Sequence, residues 1–341
     1  MTQNPFSTTF GIAPESSIDR SSEESLLRSV FPAKEKAYII TGPRGSGKTA
    51  FLTKMSQEFK KEGYLVCDLN PFSPMEEQLA ARLYEEGKLR KLFLQAEFSF
   101  SFHGLSFSLK GKEDVADVST LLSRMFSYLK KKGRQAIVTV DDVSPTPYLK
   151  NFVFSFQQFV REGHPVSLLM TGLYENVSEL SRDKGLTFLL RCEKLFLSPL
   201  DLASVAYSYK RHLKIGDEEA ARMSKISKGY AYGYQLLGSL VYEKGLSEES
   251  LEEFDRKLGE NAYSLMWENL SKKEKEILFA LEEGKTQKEI LESLRLSNGA
   301  IQVYKKRLYE KGVLDVSRRG EMAFALPRFK EFVHLRRLLE D

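Results

Sequence analysis

The chain has 341 residues, 42% of them hydrophobic and 29% charged, with a formal net charge of +4. That length suffices for two or three domains, each burying its own core. No apolar run approaches the ~20 residues that span a bilayer, so no membrane partner is expected, and the start MTQNPFSTTFG lacks the basic and apolar regions of a secretory signal. Cys67 and Cys192 lie in apolar settings and read as reduced core thiols of a cytoplasmic protein. His103, His164, His212 and His334 have no partner at metal-ligand spacing, which argues against a structural metal site. The charge is too mild to announce a nucleic-acid binder, so only local clustering can make that case.

Residues 1–36 form an arm in which Phe6, Phe10 and Ile12 are apolar enough to pack, followed by a Ser/Glu-rich helix candidate, Ser21 to Val30. The β-rich run Ala37-Tyr38-Ile39-Ile40-Thr41 then reads as a buried strand. It delivers the chain to GPRGSGKT, Gly42 to Thr49, which fits the P-loop spacing G-x-x-x-x-G-K-[ST] at all four fixed positions. A triphosphate needs several backbone N–H groups converging on its oxygens, and the small Gly42, Gly45 and Gly47 let a loop wrap that closely. The helical run after Thr49 adds the positive end of a helix dipole. Gly42, Pro43, Arg44, Gly45, Ser46, Gly47, Lys48, Thr49 and Ala50 are therefore the expected ATP or ADP contacts, with Lys48 on the outer phosphates and the Thr49 hydroxyl on Mg²⁺.

Tyr64 to Leu69 reads as a second strand, ended by Asn70-Pro71, and Met75 to about Glu86 as a helix. In FSFSFHGLSFSLKG, Phe98, Phe100 and Phe102 alternate with small polar residues before His103-Gly104, and Leu105, Phe107 and Leu109 alternate after it. Period two on both sides of a glycine turn predicts a hairpin with one face packed on the core. After the amphipathic Leu121 to Leu129 comes Ala136-Ile137-Val138-Thr139-Val140-Asp141-Asp142, an apolar strand ending in two carboxylates, which is the Walker B pattern. Asp141 is expected to orient Mg²⁺, and Asp142 to sit where the attacking water is activated. Such a strand end alone is a weak signal; downstream of a complete P-loop it becomes a strong one.

Pro165 to Gly172 reads as the next buried strand, with Thr171 at its polar end, and Leu195 to Leu200 as the final strand and turn, just after Arg191. From Leu200 to about Leu258 the pattern is helical, over Asp201 to Leu213, Asp217 to Lys228, Tyr232 to Lys244 and Glu248 to Leu258, with breaks at Gly216, Gly229 and Gly245. From Leu270 three short helices and a strand pair follow, the pattern of a winged helix. Thr286 and Ser297 are its N-cap candidates, and Gly284 and Gly312 its helix stops. Ile301, Tyr304 and Leu308 face inward on the third helix, which leaves Asn298, Gln302, Lys305 and Lys306 outward, with Arg318 and Arg319 on the wing. Those are residue types that meet bases and phosphates of double-stranded DNA. Phe329 to Glu340 reads as an amphipathic helix packed back on this module.

Taken together, the NPF…FG…P arm, GPRGSGKT, the strand ending in Asp141-Asp142, MTGLYENVSEL, the Arg191 segment, GYAYGYQ and the terminal GEMAFALPRF resemble the AAA+/STAND-like ATPases of the initiator-related branch in bacteria and archaea. The resemblance implies an α/β fold: a P-loop NTPase core with a parallel sheet at 1–198, an all-α lid at 199–262 and a winged helix at 263–341. In such ATPases the arm flanks the adenine, Thr171 occupies the place of a sensor for the γ-phosphate or lytic water, and Arg191 that of an arginine finger. Two positions depart from the hydrolytic pattern. Asp142 stands where most members have Glu, shorter by one methylene or about 1.5 Å of reach, and Tyr232 stands where many lids carry a sensor arginine. The implied function is a slowly hydrolysing ATP switch with a DNA-binding winged helix. Its rivals are a signalling ATPase whose winged helix and Phe-rich hairpin bind a protein partner, and a conventional ATP hydrolase with a remodelling role.

Overall fold

A computed structural model of the chain describes residues 4–9, 14–33, 36–85, 100–102, 105–107, 118–183, 185–316 and 321–340. They fall into two compact units: Ser22–Thr41 with Lys48–Phe196, and Met1–Ser21 with Gly42–Gly47 and Leu197–Asp341.

The first unit is built on a five-stranded parallel sheet of β1 (Ala37–Thr41), β2 (Leu65–Leu69), β5 (Ala136–Val140), β6 (Val166–Gly172) and β7 (Glu193–Phe196), in the order β2-β5-β6-β1-β7. β1, β5 and β6 are buried at every residue, as their unbroken apolar runs require of strands with both faces covered. The last strand starts earlier than its hydrophobic pattern suggests, at Glu193 rather than Leu195. It is an edge strand whose Glu193 and Lys194 are exposed, so the apolar period there marks only its inward half, and Pro199 lies beyond it. Helices Lys48–Lys61, Met75–Glu85, Val118–Lys131, Pro147–Arg161 and Tyr174–Arg182 bury one apolar face each. Leu79, Leu122, Phe126, Phe152 and Phe156 join Val138 and Leu168 of the sheet in one core. Helix Pro147–Arg161 has a defined start: Thr146 accepts from the Leu149 amide and proline occupies its first turn. The connection from β1 runs across the sheet to β2, and that from the neighbouring β6 runs the other way to β7, so the β1–β6 boundary is the place where open α/β sheets leave a crevice beyond the carboxyl ends of their strands.

The expected hairpin forms as β3 (Phe100–Phe102) and β4 (Leu105–Phe107), antiparallel, with Phe100 opposite Phe107. Phe98, His103, Gly104 and Leu109 lie outside the described residues.

In the second unit, helices Leu202–Leu213, Asp217–Ser227, Ala231–Lys244 and Glu248–Leu258 match the predicted helical stretch. A π-turn at Gly259–Tyr263 carries the chain into Ser264–Glu268 without a break. Helices Lys272–Glu282, Gln287–Ser293 and Asn298–Glu310 follow, then a two-stranded antiparallel ribbon, β8 (Leu314–Asp315) with β9 (Ala323–Phe324), and helix Phe329–Glu340. Thr286 and Ser297 cap as predicted, and Gly284 and Gly312 end their helices at φ 86° and 72°. One apolar cluster runs from Phe6 through Tyr209, Tyr234 and Leu237 to Ile301, Leu308 and Phe329. Phe6 is its N-terminal plug, with its ring 5.8 Å from Tyr209 and 5.6 Å from Tyr234. A Cβ on Gly238 would lie 2.3 Å from that ring, so only glycine leaves room for it. Phe10 and Ile12 lie outside the described residues.

Candidate functional site

β1 ends at Thr41, and a 14-residue helix begins at Lys48 with no acidic residue in its first turn. The positive end of that helix dipole therefore faces no acidic residue of its own first turn, and anions bind such ends. The intervening loop, Gly42–Gly47, places Gly45 at φ 76° and Gly47 at φ 90°, conformations open to glycine at no steric cost. Gly42 is required for a different reason: a Cβ there would come within 2.8 Å of Ser46 Oγ.

Three successive carbonyls of this loop are held from outside it. Tyr230 Oη donates to Arg44 O at 2.7 Å, the Tyr232 amide donates to Gly45 O at 2.9 Å, and Arg20 Nη2 donates to Ser46 O at 2.9 Å. In a trans peptide the N–H points opposite to the C=O, so fixing these carbonyls turns the amides of Gly45, Ser46 and Gly47 the other way. Ser46 N is used within the loop by Pro43 O, at 3.2 Å. The guanidinium of Arg20 is buried and also donates, through Nη1, to Ser198 O at 2.6 Å. Tyr230 is buried too, and that burial holds its phenol well above the usual range, so it stays a donor.

At the acidic strand end, Asp141, Asp142 and Thr171 are brought together. The buried Thr171 hydroxyl donates to Asp141 Oδ1 and accepts from the Asp142 amide at 3.1 Å, and Thr171 O accepts from Val143 N at 2.8 Å. Asp142 has φ 48°, in the left-handed region that aspartate visits more readily than most residues, and is exposed. Thr171 thus braces both carboxylate-bearing residues with one hydroxyl. Thr49 is exposed in the first turn of its helix. The oxygen donors Thr49 and Asp141 are of the kind magnesium takes, and no cluster of three or more His, Cys, Asp or Glu residues that could hold a metal occurs among the described residues. The donor set therefore fits a Mg²⁺ that keeps waters and completes its shell from phosphates, and does not suit an all-protein cage. Arg191 is exposed and caps the single turn Thr187–Leu190; the structure gives it no contact with Asp141, Asp142 or Thr171 beyond that position.

On helix Asn298–Glu310, Asn298, Gln302 and Lys306 are exposed, as expected. The Lys305 ammonium is half-buried and donates to Gln287 Oε1 at 2.8 Å. Arg318 and Arg319 lie outside the described residues. Sequence reasoning missed Arg307, exposed on this helix, and also Arg20 and Tyr230. Arg20 stands in no motif; Tyr230 did carry a signal, as the aromatic in a glycine-rich break between helices.

Residues 18–167 match a family described as an ATPase domain predominantly from Archaea, and residues 260–333 match a domain family of unknown function. Over 60 residues the sequence is 38% identical to a protein of Pyrococcus abyssi (strain GE5 / Orsay) named as a candidate GTPase, PYRAB02490; the match spans 16% of this chain and 18% of that one. In structure the chain is similar to the Walker-type ATPase PABY2304 of Pyrococcus abyssi, at TM-score 0.64 and 14% identity over 94% of this chain and 97% of the other. It is also similar to the ORC2 protein of Aeropyrum pernix, solved in ADPNP and ADP complexes, at TM-score 0.59 and 15% identity over 98% of both chains.

Proposed function

We propose, from the premise that the chain has the AAA+-type P-loop ATPase fold and that its residues 18–167 match an archaeal-type ATPase domain, that it is an ATP-dependent switch which hydrolyses slowly and acts through its C-terminal module. The observation that carries the reading is the loop Gly42–Gly47, whose carbonyls at Arg44, Gly45 and Ser46 are held by donors from outside the loop. Held in this way, the amides of Gly45 and Gly47 are oriented before any nucleotide arrives, which lowers the ordering cost of binding phosphate. Lys48 supplies the charge for the outer phosphates, and Thr49 and Asp141 are the residues that would hold Mg²⁺, which offsets charge on the phosphate oxygens when bound. Asp142 is the candidate to orient the attacking water. Its short side chain leaves it about 1.5 Å less reach than glutamate, and a misplacement of ~1 Å at a reacting centre costs on the order of 100-fold in rate. Thr171 reads here chiefly as the brace of that corner, and Arg191, exposed, as a group available to a γ-phosphate on another copy. The test measures Mg·ADP and Mg·ATP affinity by fluorescent-nucleotide titration. Binding that is lost in Lys48→Ala supports the reading, and absence of binding in the wild type refutes it.

For the C-terminal module, three helices and a ribbon form a winged helix on this reading, and Gln302, Lys306 and Arg307 offer a duplex a polar and cationic helix face. Duplex affinity that falls steeply with salt, and that is lost when Lys306 and Arg307 are made glutamate, is the expected outcome. A second reading, docking of a protein by the same helix, is favoured by the exposure of Val303 and Tyr309 among those cations. It predicts nucleotide-dependent binding of a protein and no salt-sensitive affinity for DNA.

A further inference from the structure

The break between helices Asp217–Ser227 and Ala231–Lys244 touches more than the phosphate loop. Lys228 and Gly229 both adopt positive φ, 49° and 69°, which turns the chain sharply. At Gly229 any Cβ would meet Leu200 O at 2.2 Å, and Leu200 N donates to Gly229 O at 2.7 Å, so the turn is fastened at its base. One side of it carries the Tyr230 hydroxyl and the Tyr232 amide that hold Arg44 O and Gly45 O. On the other, Lys228 Nζ donates to Phe324 O of strand β9 at 2.9 Å, and a Cβ on Gly233 would lie 3.2 Å from Pro327 just beyond that strand. Pro327 O in turn accepts from Tyr263 Oη at 2.6 Å.

The ribbon's other end meets the phosphate loop directly. A Cβ on Gly312, two residues before β8, would lie 2.5 Å from Pro43. The residue before it, Lys311, is fixed by the carboxylate of Glu274 at 3.1 Å and by Asn269 O at 3.0 Å. Gly312, before β8, therefore meets the phosphate loop, while Phe324 and Pro327, at and after β9, meet the turn that holds the loop's carbonyls.

We infer that the turn Lys228–Gly233 couples the phosphate loop to the β8–β9 ribbon, with Tyr230 as a positioning residue for the loop and Lys228 as the link to the ribbon. Rotating the Arg44–Gly45 peptide to swing its N–H out of a phosphate site would also swing Arg44 O away from Tyr230. Phosphate and tyrosine therefore favour the same peptide orientation, and each strengthens the other through one polarised amide. Binding of nucleotide then tightens the turn, and the turn tightens the ribbon. By linkage, loosening the ribbon weakens nucleotide.

This inference rests on the proposed nucleotide site, and the test separates the two. Amide hydrogen exchange is followed by mass spectrometry in the full chain with and without Mg·ADP, in wild type, Lys228→Met and Tyr230→Phe. In the wild type, protection is expected in peptides covering 42–50 and in those covering 312–327, by about 5-fold or more. Lys228→Met should keep the protection at 42–50 and lose it at 312–327. Tyr230→Phe, which alters only a hydroxyl, should lower affinity for a fluorescent ADP by about 5-fold and lose the ribbon response as well. Protection at 42–50 without any at 312–327 in the wild type, or a full ribbon response in Lys228→Met, overturns the coupling. Absence of protection at 42–50 in the wild type overturns the nucleotide site itself, and the coupling with it.

Discussion

On the proposed reading the loop Gly42–Gly47 and the acidic strand end serve one chemistry, yet they are held in opposite ways. Asp141 and Asp142 are fixed from within the sheet, by a hydroxyl on the neighbouring strand whose register is set by β5–β6 pairing. Arg44, Gly45 and Ser46 are fixed by Tyr230, Tyr232 and Arg20, groups remote from the loop in sequence, two of them in a turn of the helical unit. The strand end is as ordered as the sheet, whereas the loop is ordered only as long as that turn stays in place. A catalyst needs both corners rigid at once; a switch gains from having one of them conditional.

Substitutions can break this contrast in graded steps. The largest effect is expected from Gly45→Val. At φ 76° a side chain is strained, and its Cβ would lie 2.2 Å from Tyr230 Oη, so fluorescent-nucleotide titration should show Mg·ADP binding lost. Thr171→Val comes next. It removes the brace from a buried corner and leaves the Asp142 amide unpaired, costing about 1–3 kcal/mol in stability. Turnover should fall by on the order of 100-fold with nucleotide affinity little changed, in a steady-state phosphate-release assay. Arg20→Met should show the converse split: its loss of two carbonyl contacts weakens nucleotide by roughly 10-fold while turnover at saturating ATP is kept. If Thr171→Val weakened binding as much as Arg20→Met does, the contrast between the two corners would fail.

The smallest effect marks the background. Glu253 sits between Lys244 and Lys257, and its hydrogen bond from Lys244 above all holds its carboxyl at about 2. A depressed carboxylate pKa stabilises the fold above its unfolded value near 4.5, and that stabilisation is lost as the pH falls through about 2. Glu253→Gln should therefore lower the melting temperature by only a few degrees, roughly 1–3 °C, at pH 7 and not at all at pH 2, with nucleotide affinity untouched.

The contrast also governs what could be read from sequence. The sheet was legible because fully buried parallel strands are unbroken apolar runs, as in Ala37–Thr41 and Ala136–Val140, and because glycines at fixed spacing mark the phosphate loop. The edge strand was displaced because Glu193 and Lys194 face solvent and break the apolar run. Helix Pro147–Arg161 went unpredicted, although Thr146-Pro147 is a sound helix start. Asp141 and Asp142 were placed by their strand end, but the use of the Thr171 hydroxyl was not, since a threonine ending a strand has the same sequence signature whatever its hydroxyl bonds. Arg20 and Tyr230 were illegible as loop braces: nothing local in the sequence tells which distant donor a backbone carbonyl will find. Lys305 lies one turn after the buried Ile301 and so flanks the inward face, where it reaches Gln287, whereas Lys306 points away from that face.

The six residues Gly42–Gly47 pack with the helical unit, while the strand before them and the helix after them pack in the sheet unit. A fragment ending at residue 198 keeps all five strands, the loop and the acidic strand end with its Thr171 brace, yet omits both tyrosine braces. Such a fragment should keep its sheet and still handle ATP poorly, and attaching a foreign C-terminal half would restore little unless the tyrosine-bearing turn were transplanted with it.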